Sequence, residues 1–231
     1  MSKEKGYVIY EGPSMLNGEP IVAVVTMKST NVKTGNMASM WIMSADEKPT
    51  DATKSGADQA VCGMCPHRHH LGGSCYVVLF QAPLNVYKTY KRGGYALATD
   101  LSVFDDVLIR FGAYGDPAAL PLDLLNGIKA RAKNHTSYTH QWKSNNNDIL
   151  KTTSMASVDS KAEAIQAQEN GWRTFRVTKD ISDLLSTEIV CPNTTHGIEC
   201  KDCKLCSGYS KAKNIVIEVH GNKKKNFEEL V

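Results

Sequence analysis

Seven cysteines fall into two tight groups: three at Cys62, Cys65 and Cys75, and four at Cys191, Cys200, Cys203 and Cys206. Cysteines that merely fill a core are scattered, whereas grouped ones converge on a ligand or on one another. The chain opens Met1-Ser2-Lys3-Glu4-Lys5 and runs into a strand-like segment, with no apolar core of signal-peptide type and no run of 18 apolar residues. A soluble cytoplasmic protein without a membrane partner is therefore expected, and in that reducing compartment grouped cysteines point to metal rather than disulfides.

The later group is spaced C-x8-C-x2-C-x2-C. Four thiolates complete either a tetrahedral zinc or a cubane iron–sulfur cluster, and nested C-x2-C-x2-C is more typical of the cubane. Such a closed site can equally serve only to brace the chain. The earlier group, C-x2-C-x9-C within Cys62-Gly63-Met64-Cys65-Pro66-His67-Arg68-His69-His70, leaves two alternatives open. Either His67, His69 or His70 gives zinc its fourth ligand, which spacing alone slightly favours, or a [4Fe–4S] cubane keeps one iron free for a substrate or cofactor.

At 42% hydrophobic residues, the 231-residue chain can bury one substantial core. Residues 6 to 43 read as two β-hairpins, the first turning at Asn17-Gly18 and the second at Lys33-Thr34-Gly35-Asn36, so 1–55 is expected as an antiparallel β-hairpin unit. Ser44 to Asp58 reads as a polar linker. Beyond it, in 56–231, β-rich runs alternate with helical periodicity, as in a parallel sheet or barrel. Helices are expected after Pro83, over Leu122–Ala132 and over Lys161–Asn170. Strands are expected at Asp106–Phe111, Ser137–Trp142, Thr152–Val158, Trp172–Val177, Glu188–Val190 and Ile215–Val219. About six strands are too few for a closed eight-stranded barrel. Gly115-Asp116-Pro117, Asp159-Ser160, Lys179-Asp180 and Cys191 each follow a strand, which in a parallel α/β architecture puts them on one rim.

In this setting Cys75-Tyr76 ends a three-cysteine loop, Tyr114-Gly115-Asp116-Pro117 is similar to a Gly-Gly-Glu-Pro segment, and Ala156-Ser157-Val158-Asp159-Ser160 is similar to a Ser-x-Asp segment. In that order the features resemble radical S-adenosylmethionine enzymes, more closely the cysteine-rich radical-SAM-like proteins of bacteriophages and mobile elements. The resemblance runs over most of 20–221, including Tyr138-Thr139-His140-Gln141-Trp142, Gly171-Trp172-Arg173 and His220-Gly221. It implies an α/β fold, a partial (β/α) barrel of about six parallel strands, following the N-terminal hairpin unit and ending in the four-cysteine metal site. It also implies a [4Fe–4S] cluster on Cys62, Cys65 and Cys75 that binds S-adenosylmethionine and, once reduced, cleaves it to a 5′-deoxyadenosyl radical. Asp116 and the backbone around Gly115 would receive the cofactor's amino group, Ser157 or Asp159 its ribose, and Arg110 or Arg176 its carboxylate. Cys191, Cys200, Cys203 and Cys206 would hold an auxiliary cluster fed by an electron donor. The implied protein is an oxidoreductase or transferase in the cytoplasm of a phage's bacterial host, with a substrate the sequence does not name. The chain departs from the superfamily's C-x3-C-x2-C spacing, and Asp116 stands where it has Glu.

The other class of function is a metal-stabilised phage module, with zinc or inert clusters, contacting nucleic acid or a host protein. A net charge of +3 permits nucleic acid without implying it. The segment Tyr87-Lys88-Thr89-Tyr90-Lys91-Arg92-Gly93-Gly94-Tyr95 interleaves aromatics and cations as a base-stacking surface would, although Tyr87 and Tyr90 at helical spacing also fit a core face. Lys223 to Lys225 reads as a frayed tail. His67 to His70 faintly resembles the metal-binding histidine pair of rolling-circle initiators, and His140 reads as pocket-lining or structural. A serine hydrolase is disfavoured, because Ser157 and Ser160 lack a G-x-S-x-G elbow.

Overall fold

The structure is a computed structural model that describes residues 4–208 and 212–227, without the side chains of 145–147; Met1 to Lys3 of the N-terminal run lie outside the described residues. Strands β1 (Gly6–Pro13) and β2 (Pro20–Thr26) form the hairpin expected at Asn17-Gly18, with Tyr7 opposite Val25 and a register shift before Tyr10. Strand β3 (Ala38–Ser44) pairs antiparallel with β2, Trp41 opposite Val24. Five successive residues of β2, Ile21 to Val25, are buried. They form an unbroken apolar run because neighbours cover both faces of this central strand.

The stretch expected as a linker contains a short helix, α1 (Pro49–Ser55), and a second, α2 (Gln59–Cys62), begins directly after that stretch. Helix α1 has Pro49 at its first turn and Gly56, at φ 93°, as its left-handed cap. One seven-residue segment is too short to betray helical periodicity in sequence. Helix α3 (Ala82–Lys91) opens around Pro83 and buries Val86 and Tyr87, and β4 (Ala96–Leu97) lies parallel to β1. Strand β5 (Leu108–Tyr114) runs parallel to β3, helix α4 (Leu122–Arg131) buries Leu125 and Ile128, and β6 (Asn134–Thr136) runs parallel to β5. The N-terminal hairpins therefore share a sheet with the later strands: a six-stranded, mostly parallel sheet ordered β4-β1-β2-β3-β5-β6.

Ser137 alone separates β6 from β7 (Tyr138–Thr139), the first strand of the second sheet. The longer strand expected over Ser137–Trp142 is cut short because Gln141–Lys143 turns into a single 3-10 turn. Next come β8 (Met155–Val158), α5 (Lys161–Glu169), β9 (Thr174–Thr178), β10 (Glu188–Val190), α6 (Pro192–His196), α7 (Cys200–Cys203) and β11 (Asn214–Glu218). This sheet is wholly parallel and ordered β10-β11-β9-β8-β7. The fold is thus mixed α/β. One apolar cluster joins Val24, Ile42, Phe111, Leu125, Ile128 and Ala164, and a smaller one joins Met155, Ile215 and Cys206. Among the described residues no helix is long and apolar enough to cross a membrane.

Candidate functional site

All seven cysteines line one cavity of about 600 Å³. Its walls come from strands of both sheets and the turns that follow them, among them Gly115 after β5, His140 after β7, Ser157 on β8 and Cys191 after β10. Of the four post-strand segments expected to share one rim, Gly115-Asp116 and Cys191 line this cavity, whereas Asp159-Ser160 and Lys179-Asp180 are not part of its lining.

The three-cysteine loop starts where α2 ends. Cys65 N–H donates to Cys62 O (3.1 Å), and Cys75 N–H returns to His67 O (3.0 Å). Two side chains that sequence reasoning missed hold its shape. Arg68, only 8% exposed, donates to Asp58 Oδ1 (2.6 Å), Gly56 O (2.9 Å) and Gly63 O (3.0 Å), which pins both ends of α2. Gln141 donates to Cys62 O (3.0 Å) and accepts from Met64 N–H (3.3 Å). Burial, then the neighbouring Cys65 and Cys75, raise the Cys62 thiol well above its ordinary range, and burial raises Cys75 as well. Thiols crowded this way resist ionisation until a cation joins them.

The four-cysteine group is pinned just as firmly. Cys191 N–H donates to Val216 O (2.8 Å), Cys200 N–H to Lys33 O (2.9 Å), and Ser137 N–H to Cys206 O (2.9 Å). The Lys33-Thr34-Gly35-Asn36 turn therefore does more than join strands: it receives α7, and a Cβ on Gly35 would stand 2.5 Å from Glu199 Oε2. Arg173 clamps the Cys206 turn by donating to Leu205 O (2.8 Å), Ser207 O (2.5 Å) and Lys213 O (2.7 Å). Burial pushes the Cys206 thiol up to about 12; a hydrogen bond with Tyr138 opposes this, and Cys191, Cys200 and Cys203 add to it.

Between the groups stands Arg110, whose Nη2 donates to Tyr76 Oη (2.6 Å) while its Nε has no partner. Tyr76 in turn packs on His220, ring centroids 5.2 Å apart. Asp116 is buried, and both its oxygens are engaged: Oδ1 caps Ala118 N–H (3.0 Å) and Oδ2 accepts His140 N–H (2.8 Å). Gly115 has φ 82°, and a Cβ there would lie 2.6 Å from Ile42 O. We expect Gly115→Ala to lower stability by about 2–4 kcal/mol through strain and overlap, read from the midpoint of urea denaturation.

Ser157 lines the cavity, whereas Asp159, 1% exposed, faces two histidines. His67 Nε2 is 2.9 Å from its Oδ1 and His140 Nε2 is 3.7 Å from its Oδ2. Burial alone would raise the Asp159 carboxyl, but the two imidazoles outweigh it and hold the carboxyl well below the ordinary range. Burial would likewise lower His140, yet Cys65 and Asp159 raise it well above its usual value. Arg176 is engaged elsewhere, in a two-pronged buried pair with Glu188 (2.8 Å and 2.8 Å). His70 Nε2 meets Lys54 O at 2.8 Å.

The lysine-rich tail is not frayed within the described residues. Lys223 to Lys225 are exposed, but Phe227 is 1% exposed and stacks on His67, centroids 5.8 Å apart. Tyr87 and Tyr90 follow the core-face reading: Tyr87 is buried, and Tyr90 donates to Glu11 Oε1 (2.5 Å). Comparison with protein-family models, with curated proteins and with solved structures gives no match.

Proposed function

We propose that the chain is an iron–sulfur protein that uses S-adenosylmethionine, with an open [4Fe–4S] cluster on Cys62, Cys65 and Cys75 and an auxiliary cluster on Cys191, Cys200, Cys203 and Cys206. The observation that carries this reading is that both groups open on the same cavity. Two purely structural metal knots have no need to share a chamber, whereas a redox site and its relay do. The fold supports it too. Parallel strands β3, β5 and β6 of the first sheet lead through Ser137 into the wholly parallel second sheet, the kind of succession a partial (β/α) barrel needs, although β11 lies out of chain order between β9 and β10.

The donor set fits the cluster. Soft thiolates in a mostly buried loop select iron–sulfur or zinc. His67 is directed out of the cysteine group, with Nδ1 at Ser74 Oγ (2.7 Å) and Nε2 at Asp159 Oδ1 (2.9 Å). Cys62, Cys65 and Cys75 would hold the cluster, which would supply the electron for reductive cleavage of S-adenosylmethionine. This chain's own part is placement. Arg110, partnered only through Tyr76 among the hydrogen bonds of its guanidinium, presents a fixed positive charge to the cofactor's carboxylate. The Gly115 turn offers backbone oxygens to its amino group, a role that the engaged carboxylate of Asp116 leaves to the main chain. Ser157 presents its hydroxyl side of β8 to the ribose.

Iron and sulfide content per chain after anaerobic purification tests the reading. About eight irons should fall to about four in a Cys62→Ala, Cys65→Ala, Cys75→Ala triple variant, and the wild type should release 5′-deoxyadenosine under strong reductant. Zinc without sulfide would overturn it and favour a zinc-braced binding module.

A further inference from the structure

His67 comes from the three-cysteine loop, His140 from the turn after β7, and Asp159 from the end of β8, yet one donor atom of each lies within 4.8 Å of the other two. Donors held about 2.1 Å from a common ion stand about 3.0 Å apart at right angles and about 3.4 Å apart at the tetrahedral angle. The two imidazoles approach different oxygens of Asp159, His67 Nε2 at 2.9 Å from Oδ1 and His140 Nε2 at 3.7 Å from Oδ2, separations close to those values. A simple hydrogen-bonded trio leaves something over. His67 satisfies one carboxylate oxygen, but His140 Nε2 and Asp159 Oδ2 are both buried without any hydrogen-bond partner. An unpaired buried polar atom is costly, and these two face each other at ion-pair distance, 3.7 Å, beyond hydrogen-bond reach and with room for a bridging ion.

The surroundings orient these groups as ligands are usually oriented. His67 Nδ1 meets Ser74 Oγ at 2.7 Å, so with the ring proton placed there Nε2 offers its lone pair to the centre. Asp116 Oδ2 holds the His140 backbone. The Asp159 turn is locked twice: Ser160 Oγ caps Glu163 N–H (3.2 Å), and Glu163 Oε2 accepts Asp159 N–H (2.9 Å). His67 and His140 both line the cavity, so an ion bound between them faces the same chamber as the cysteines.

We propose that His67, His140 and Asp159 form a separate divalent-metal site, a two-histidine, one-carboxylate set that takes a ferrous-type ion and keeps positions open towards the cavity. The site differs in kind from the cysteine groups, because imidazole and carboxylate accept harder ions than thiolates do. Its existence does not depend on what the cysteines hold.

Mn2+ is the probe, since it disfavours thiolates. The protein as purified anaerobically, with its cysteine-bound metal in place, is titrated with Mn2+ while free Mn2+ is followed by electron paramagnetic resonance. One ion per chain should bind to wild type, with affinity at least 100-fold weaker in Asp159→Asn and in His67→Gln. Ser74→Ala, which leaves all three ligands, should weaken binding about 10-fold to 100-fold. Iron and sulfide content and the melting curve of each variant are checked alongside, so that misfolding is recognised, and Ser74→Ala carries the test if a ligand variant fails to fold. No Mn2+ retained by wild type, or equal affinity in wild type and in the folded variants, overturns the proposal.

Discussion

An Arg68→Ala variant is expected to lose about 3–5 kcal/mol of stability and, under the proposed function, most of the metal assigned to Cys62, Cys65 and Cys75. The guanidinium is the only cation that Asp58 is seen to pair with among the described residues, and Asp58 is itself 2% exposed. Removing it strands a carboxylate in the interior and frees the carbonyls of Gly56 and Gly63 at the two ends of α2. Cys62 is the last residue of that helix, so its direction relative to Cys65 goes with the clamp. Arg68→Lys should fall in between, because an ammonium can meet Asp58 but cannot span both carbonyls from one plane. Denaturation midpoints and metal content per chain give the two readouts. A variant with an unchanged midpoint and full metal would show that the clamp is dispensable.

The second large effect concerns Arg176. Glu188→Ala should cost about 3–5 kcal/mol, which for a chain of this size lowers the melting temperature by roughly 10 °C. The pair is buried at both ends, 2% and 0% exposed, and closes through two parallel hydrogen bonds. Replacing both partners, Arg176→Met with Glu188→Leu, should recover most of the loss, since two desolvated charges are then exchanged for apolar packing. Under the proposed function, S-adenosylmethionine affinity should be unchanged in the double variant. If affinity falls while melting does not, the carboxylate-binding role that the family resemblance implied for Arg176 is restored.

These two arginines show what a sequence reveals and what it conceals. Strands β5, β8, β9, β10 and β11 were legible because each is a short, largely apolar or β-branched run ended by turn residues. The two cysteine groups were legible from spacing alone. Arg68 was not, because a cation inside a polar His-Arg-His-His run carries no signal of burial, and its acid lies on a stretch that reads as linker. His67 and Asp159 are 92 positions apart. Only the order of strands brings them together, and β11 lying between β9 and β10 could not be read from periodicity. Phe227 was hidden differently: a lone aromatic after three lysines resembles a tail until its packing on His67 is seen.

That strand order also bears on how the chain matures. Strand β11 is the last strand of the described residues, yet it lies inside its sheet, and it is the one neighbour with which β10 pairs there. Synthesis proceeds from the N-terminus, so β10 and Cys191 leave the ribosome before their partner Val216 exists. The three-cysteine loop can close on Arg68 before β11 is made, but Cys191 cannot take its place until Val216 has been synthesised. Ordering of the second cysteine group is therefore a later event than ordering of the first, and it makes insertion of β11 between β9 and β10 the step on which that group's geometry depends.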